Sequence, residues 1–410
     1  MAVQEHPGGL MITEARKLYT GEPVWTAYRQ PRVPAEELGQ PLSTDIVIIG
    51  AGISGAMIAE ALSGHGLDVA IVDRRKPLTG STAASTALIQ YEIDIPLTQL
   101  TEMIGIERAA AAWRRSRVAV ESIAAKIRTN KIDCAFERKD SLYLAGDLLD
   151  RNGLEAEASA REAIGLATAL VDGKTLRQDY GMKCDAALLN QNNLTCNPVQ
   201  LTAGFLKAAI ERGAKLYSPV TVESLTETAN RIEFTTSDGV RISARHAIYA
   251  SGYEMPEGVH PKKHDIASTW ALATAPVKGF DIPLFWQSSD PYVYGRASED
   301  GRLIFGGEDE DFADEGKRDA VMEEKQKALE RKLSKLFPDE RFETTHFWGA
   351  SFGGSETGLP SIGKVPGKKN VYCAMAYGGN GITFSRIAAD LIAASILGRP
   401  DPEAALFEFE

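Results

Sequence analysis

Residues 44–75, reading TDIVIIGAGISGAMIAEALSGHGLDVAIVDRR, constrain the fold of this chain more than any other stretch. Ile46, Val47, Ile48 and Ile49 form a short apolar run stopped by glycine, as a strand buried on both faces of a parallel sheet reads. Gly50, Gly52 and Gly55 follow at G-x-G-x-x-G spacing and open a helical pattern (Met57, Ile58, Ala61, Leu62) that stops at Gly64 and Gly66. A second strand, Val69 to Val72, ends on Asp73. Gly50 permits the tight turn, Gly52 lets backbone approach a pyrophosphate, and Gly55 lets helix and strand pack closely, while the helix N-terminus offers free N–H groups to an anion. Asp73 sits where a carboxylate accepts from an adenosine ribose hydroxyl, and it argues against a ribose 2'-phosphate. A lone glycine triplet is weak evidence, and its bland reading is a turn in an ordinary βαβ unit. Strand, glycines, helix, second strand and acid in this order point to a bound dinucleotide.

A chain of 410 residues is long for one core, so two domains are expected. The net charge of -11, with no basic block, argues against a nucleic-acid partner. Cys134, Cys184, Cys196 and Cys373 are scattered, with no C-x-x-C pair and no zinc spacing. We expect four buried thiols in a reducing compartment, no metal, and none of the chemistry of a disulfide reductase. Residues 1–30 lack an apolar core of the signal-peptide kind, and the most apolar helix, near the C-terminus, carries Arg386 and Asp390 and is too short to span a bilayer. The expectation is a cytoplasmic protein without a membrane partner.

Residues 1–39 read as an irregular, proline-rich leader. After Asp73, Gly80-Ser-Thr-Ala-Ala-Ser-Thr86 is either a flexible connector or a loop lying against the dinucleotide. Two helices broken near Gly105 fill 96–128, followed by a strand at Ser141–Ala145 and a charged helix at Leu154–Gly165. Asn197-Pro198 is a helix start, with Asn capping and Pro in the first turn. Strands are expected at Lys215–Val222, Arg231–Thr236, Arg241–Ser243 and His246–Ala250, with Ser237-Asp238-Gly239 as a hairpin turn. Residues 268–310 are strand-rich, and an amphipathic helix covers Asp314–Phe337. The acidic run before it (Glu308, Asp309, Glu310, Asp311, Asp314, Glu315) reads most simply as a solvated segment, with attraction of cationic substrates as the functional alternative. The last unit is strand Val371–Ala376, the loop Tyr377 to Ile382, and a helix to Leu397.

Several of these stretches together resemble the FAD-dependent oxidoreductases of the D-amino-acid oxidase family, which includes glycine oxidase, monomeric sarcosine oxidase and gamma-glutamylputrescine oxidase. They are the fingerprint with Asp73, GSTAASTALIQ at 80–90, the Asn197-Pro198 helix followed by Val220, Ala250-Ser251-Gly252, Gly358-Leu-Pro-Ser-Ile-Gly363 and Gly378-Gly-Asn-Gly-Ile-Thr383. The resemblance implies an α/β (α+β) fold in which a Rossmann-like FAD-binding domain (40–95, 190–255 and 347–410) interleaves with a mixed-sheet substrate domain (96–189 and 256–346). It implies FAD contacts at Gly50, Gly52, Ile53, Ser54, Gly55, Asp73, Arg74, Arg75, Ser81, Thr82, Ser85, Thr86, Leu88, Val220, Ser251 and Gly252, and flavin contacts at Gly379, Asn380, Gly381, Ile382 and Thr383. The last of these makes independent sense, because a helix N-terminus stabilises negative charge developing on a reduced flavin.

The chain also departs from the family. Many members that oxidise amino acids carry an arginine in a W-x-G-x-R pattern, where Trp348-Gly-Ala-Ser-Phe352 here places Phe352. The bidentate carboxylate clamp is missing from that place. Arg296 on a predicted strand either supplies one from elsewhere or is an ordinary strand arginine. No cysteine lies between Trp348 and Gly363, so the FAD is expected to be non-covalent. The implied reaction is hydride transfer to flavin from a small amine or amino acid, giving an imine that hydrolyses. The acceptor is oxygen or, in a dehydrogenase, another electron acceptor; a non-catalytic FAD-binding assembly component is the third reading. Substrate-pocket candidates are Tyr253, Trp270, Trp286, Tyr292, Tyr294, Arg296, Trp348 and Phe352, although each aromatic taken alone reads more readily as a core or interface residue. The missing arginine favours amines or N-substituted substrates over simple amino acids. Oligomeric state has no signature in the sequence.

Overall fold

The computed structural model describes residues 13–256, 259, 264–375 and 378–409. Among these, two sheets divide the strands. The smaller has eight, in the order Ser361–Lys364, Val371–Met375, Arg241–Tyr249, Leu42–Ile49, Val69–Val72 and Lys215–Tyr217, with Val222–Glu227 and Ile232–Thr236 attached through Arg241–Tyr249. Its central pairs are parallel: Ile46 lies opposite Val69 and His246, and Ala247 opposite Val371. The fully apolar strand Val69–Val72 is buried throughout, as helices on one face and a β-meander on the other require.

The helical face is built from Ile53–Leu62, Pro198–Glu211 and Gly381–Ile396, with Ile106–Thr129 outside them. Asn197 caps as expected, its Oδ1 accepting from the N–H groups of Val199 (3.0 Å) and Gln200 (3.2 Å). One buried acid ties these helices together. Glu60 accepts from Lys126 (3.0 Å), Asn130 (3.1 Å) and Arg212 (2.7 Å), and Arg386 stands 3.6 Å away. Burial works against its charge, but Arg212 and Lys126 outweigh it and hold the carboxyl below the usual range.

The larger sheet has ten strands, in the order Tyr19–Gly21, Thr344–Ser355, His264–Thr274, Leu303–Glu310, Val293–Ala297, Leu284–Gln287, Glu137–Leu144, Ala186–Thr195 and Leu88–Ile89, with Thr168–Asp172 on Ala186–Thr195. Helix Met322–Leu336 covers one face, burying Leu329 and Leu333 against Trp270, Leu272 and Phe305.

The expected helices on either side of Gly105 are found at Leu97–Ile104 and Ile106–Thr129. Several expectations need correction. The leader is not wholly irregular: Tyr19–Gly21 adds an edge strand along Trp348–Ala350. Arg241–Ser243 and His246–Ala250 form one continuous strand whose outer edge changes partner, from Ile232–Thr235 to Val371–Cys373. The helix over 314–337 is two, Glu315–Ala320 and Met322–Leu336. Cys184 is only half-buried, and the other three thiols are buried. Ala376 and Tyr377 lie outside the described residues.

Glu60→Ala leaves three cations facing an emptied, buried position. It is expected to cost about 3–5 kcal/mol, read from denaturant unfolding.

Candidate active site

A groove runs along the C-terminal ends of the parallel strands. Its narrower end, a cavity of about 80 Å³, is bounded by Gly50, Gly52, Asp73, Arg74, Arg75, Val220, Ser251 and Glu254. The wider end, about 170 Å³, is roofed by the larger sheet and bounded by Ser85, Thr86, Leu88, Tyr253, Trp286, Tyr292, Tyr294, Phe352, Gly379, Gly381 and Ile382. Ile53, Ser54, Ser81, Thr82 and Gly252 line both, so the two ends are one passage.

At the narrow end the Asp73 carboxylate accepts from the N–H of Ala51 (2.7 Å) and of Arg75 (2.8 Å), fixing the glycine turn to the end of the second strand. Burial raises its pKa against those two donors. A side chain at Gly50, where φ is 116°, would strike the Ala250 carbonyl, and one at Gly55 would strike the carbonyl of Gly50. Gly55 therefore packs behind the groove and does not line it. Arg75 forms an ion pair with Glu254, and Arg74 donates to Thr13.

The loop 80–88 is shaped by three buried donors on consecutive carbonyls. Trp348 Nε1 donates to Ala84 O (2.9 Å), Trp25 Nε1 to Ser85 O (2.6 Å) and Arg296 Nε to Thr86 O (2.8 Å). Arg296 also donates to Cys196 O (2.8 Å) and lies over the Trp25 ring, only 2% exposed. Burial lowers its pKa to about 10. Three of the substrate-pocket candidates thus need correction. Arg296 and Trp348 hold the loop from behind, and Trp270 is fully buried on the opposite face of the sheet under Lys325. Aromatic residue type alone does not reveal which face of a strand a ring occupies.

The loop 378–383 grips the segment after Leu88. Gly379 N–H donates to Asp94 Oδ2 (2.7 Å), Asn380 Nδ2 to Glu92 O (2.6 Å) and Thr383 Oγ1 to Gln90 O (2.8 Å). Asn380 and Thr383 are consumed in these bonds and do not line the cavity; Gly379, Gly381 and Ile382 do. Sequence reasoning missed Gln90, Asp94, Thr269, Ser351 and Ser385 at the wide end, and Thr13, Leu18 and Glu254 at the narrow one. Gln90 and Asp94 directly continue the quoted loop and were within reach; Thr269 required knowing the strand's facing.

The wide end carries one carboxyl group, on Asp94, and no cation: no Lys, Arg or His is found among its described lining residues. Burial raises the Asp94 carboxyl against the Gly379 N–H. Asp309 is raised to about 6 by burial, helped by Asp94 and Asp290 and opposed by the Thr269 hydroxyl and Lys325. The acidic run is therefore not simply solvated. Glu308 is paired with Lys332 (2.5 Å) and Lys325 (3.5 Å), and Asp309 stands among Tyr253, Tyr292 and Tyr294.

The profile of the DAO family, FAD dependent oxidoreductase, matches residues 45–395. The chain belongs to that family. FAD is its cofactor, and it is an oxidoreductase. It is 22% identical over 387 residues to a probable oxidoreductase OrdL of Haemophilus influenzae, spanning 89% of this chain and 85% of that one. It is also 22% identical to gamma-glutamylputrescine oxidoreductase of Escherichia coli K12, over 89% and 86% of the two chains. Among solved structures, L-proline dehydrogenase from P. horikoshii superposes with a TM-score of 0.76 at 19% identity, covering 90% of this chain and 97% of that one. Glycine oxidase from Geobacillus kaustophilus gives 0.75 at 19%, covering 90% and 99%. These likenesses confirm the expected mixed α/β architecture. No helix among the described residues is long and apolar enough to cross a membrane.

Two outcomes follow from the geometry. Arg296→Leu strips donors from two buried carbonyls, so FAD retention is expected to fall about tenfold or more while the KM of the remaining holoenzyme stays within about twofold; a carboxylate clamp would show the reverse. Asp309 has a folded pKa of about 6 against 3.8 for the free group, so its burial costs stability above pH 6, and that cost disappears as pH falls toward 4. Thermal melts of Asp309→Asn should show a higher Tm than the parent at pH 8 and little difference at pH 4.

Proposed function

We propose that this enzyme oxidises a C–N bond of a small amine, with oxygen as the acceptor. The observation that carries the reading is the wide cavity itself, walled by Tyr253, Trp286, Tyr292, Tyr294 and Phe352, with Asp94 on its lining and no described cation. An α-amino acid would bring a carboxylate into that surface with nothing to pair it. The Escherichia coli relative is named for gamma-glutamylputrescine, whose putrescine end is a primary amine and whose glutamyl end carries a carboxylate several bonds away from it.

The groove fits a non-covalently held FAD. A Cβ on Gly52 would point into the passage toward Thr82 Oγ1, helices open onto it at Ile53 and Gly381, and no cysteine lines either end among the described residues. In this reading the turn at Gly50–Ser54 takes the pyrophosphate on backbone N–H groups, Asp73 faces the ribose and Val220 the adenine. Ser81, Thr82, Ser85, Thr86 and Leu88 run beside the cofactor, and Gly379, Gly381 and Ile382 lie at its flavin end. In this reading the FAD-binding segments are 40–95, 190–255 and 347–410, and the strands of 96–189 and 256–346 form the roof together with Thr344–Ser355, while helix Ile106–Thr129 packs under the smaller sheet. When bound, FAD supplies a two-electron acceptor for the hydrogen leaving the carbon beside nitrogen.

The protein's own contribution is alignment and exclusion of water. The aromatic walls position a neutral amine with its carbon toward the cofactor end, which needs no paired acid and base. The imine product then hydrolyses in water. A dehydrogenase with the same half-reaction is favoured by one observation, the absence of lysine from the described lining.

The test is anaerobic bleaching of the flavin absorbance by amines, D-amino acids and N-methyl amino acids. Primary or N-substituted amines should bleach it and D-amino acids should not; readmitted air should then restore the colour with one peroxide per bleach. Bleaching without recovery in air identifies the dehydrogenase. A protein that carries no flavin, or resists every amine, overturns the reading.

A further inference from the structure

Two residues oppose one at the edge of the wide cavity. Strand Leu303–Glu310 pairs with His264–Thr274 through Trp270 opposite Gly307 and Ser268 opposite Glu310, so Glu308 and Asp309 both lie against Thr269. This is a β-bulge, with φ of 139° at Gly307 and 62° at Glu308. Its effect is to exchange faces. Gly306 pairs with the cavity-lining Tyr294, and strict alternation from it would send Glu308 to the cavity side and Asp309 to the helix side. Instead Glu308 pairs with Lys325 and Lys332 on the covering helix, and Asp309 turns to the cavity side directly behind Thr269, which lines the cavity.

At that spot two polar atoms are shut off from solvent without a well-formed hydrogen bond among the described residues, Asp309 Oδ1 and Thr269 Oγ1, although the Thr269 hydroxyl stands beside the carboxylate. The nearest cation, Lys325, is already engaged by Glu310 (2.6 Å) and Glu308 (3.5 Å). Tyr292 and Tyr294, with ring centroids 5.6 Å apart, and Tyr253 line the same cavity and lie within electrostatic reach of the carboxylate. An acidic oxygen and a hydroxyl beside an aromatic-walled cavity form a receptor for an ammonium group.

That ammonium is not the nitrogen being oxidised. The reacting nitrogen must be neutral for hydrogen to leave its carbon as hydride, and a carboxylate beside it would hold it protonated. We propose that Asp309, with Thr269, binds a second, non-reacting ammonium of the substrate, so that the enzyme acts on diamines. The inference rests on the amine reading above and adds the specificity determinant to it.

The test measures binding and reaction separately on the FAD-loaded protein. Anaerobic titration of the flavin spectrum with 1,4-diaminobutane, butylamine and 4-aminobutanoate gives the binding order, and stopped-flow bleaching gives the rate. The expected result is that 1,4-diaminobutane binds about tenfold or more tightly than butylamine, with 4-aminobutanoate weakest. Asp309→Asn should bring the three within about threefold of each other, while Asp311→Asn, at an exposed neighbour, should leave the preference intact. Equal binding of diamine and monoamine by the parent protein, or an unchanged preference in Asp309→Asn, overturns the inference. If butylamine bleaches the flavin but no diamine preference exists, amine oxidation stands and the role of Asp309 falls. If the diamine preference exists without bleaching, the site stands and the reaction falls.

Discussion

Three buried donors hold three consecutive carbonyls, and the passage depends on them. Ala84, Ser85 and Thr86 belong to a loop of small residues with little side-chain bulk to fix it, and a free loop here would close the groove or leave it shapeless. Trp348, Trp25 and Arg296 reach it from separate parts of the chain and take its carbonyls on the side away from the cavity. Each bond is modest against water, but a buried carbonyl left without a donor costs about 1–3 kcal/mol, so the set is held all together. An arginine spent in this way is unavailable to a substrate carboxylate, which leaves the described lining of the wide cavity without a cation.

The local parts of the architecture were legible in the sequence, because their chemistry is local. The glycine turn, Asp73, the Asn197 cap and the break at Gly105 each depend on residues within a few positions of one another, and each is found where its residues place it. The cavity wall was partly legible. Tyr253, Trp286, Tyr292, Tyr294 and Phe352 line it, whereas Trp270, Trp348 and Arg296 do not. Trp270 differs by facing, since it packs under the covering helix, whereas Trp348 and Arg296 share a face with Phe352 and Tyr294 but lie further along their strands, under the loop 84–86. No period in the sequence announces a residue that interrupts the period. Thr269 was hidden for that reason, and within the acidic run nothing in the sequence set Asp309 apart from its neighbours.

The two sheets divide the labour physically. The smaller, with parallel strands buried on both sides, presents strand ends and helix N-termini to an anion. The larger is covered on one face by Met322–Leu336 and lends its other face to the cavity. Glu60 keeps the helices under the first sheet in place, and its charge is satisfied far from the groove.

The residues lining the passage run along the chain from Thr13 to Ser385. Its walls come from nearly the whole length of the chain, and the edge strand Tyr19–Gly21 is sealed only against residues 348–350. A ribosome making this protein therefore releases almost all of it before the groove has two sides. Cofactor capture must be among the last events of maturation, and the partly made chain must keep the apolar strand Val69–Val72 covered while it waits.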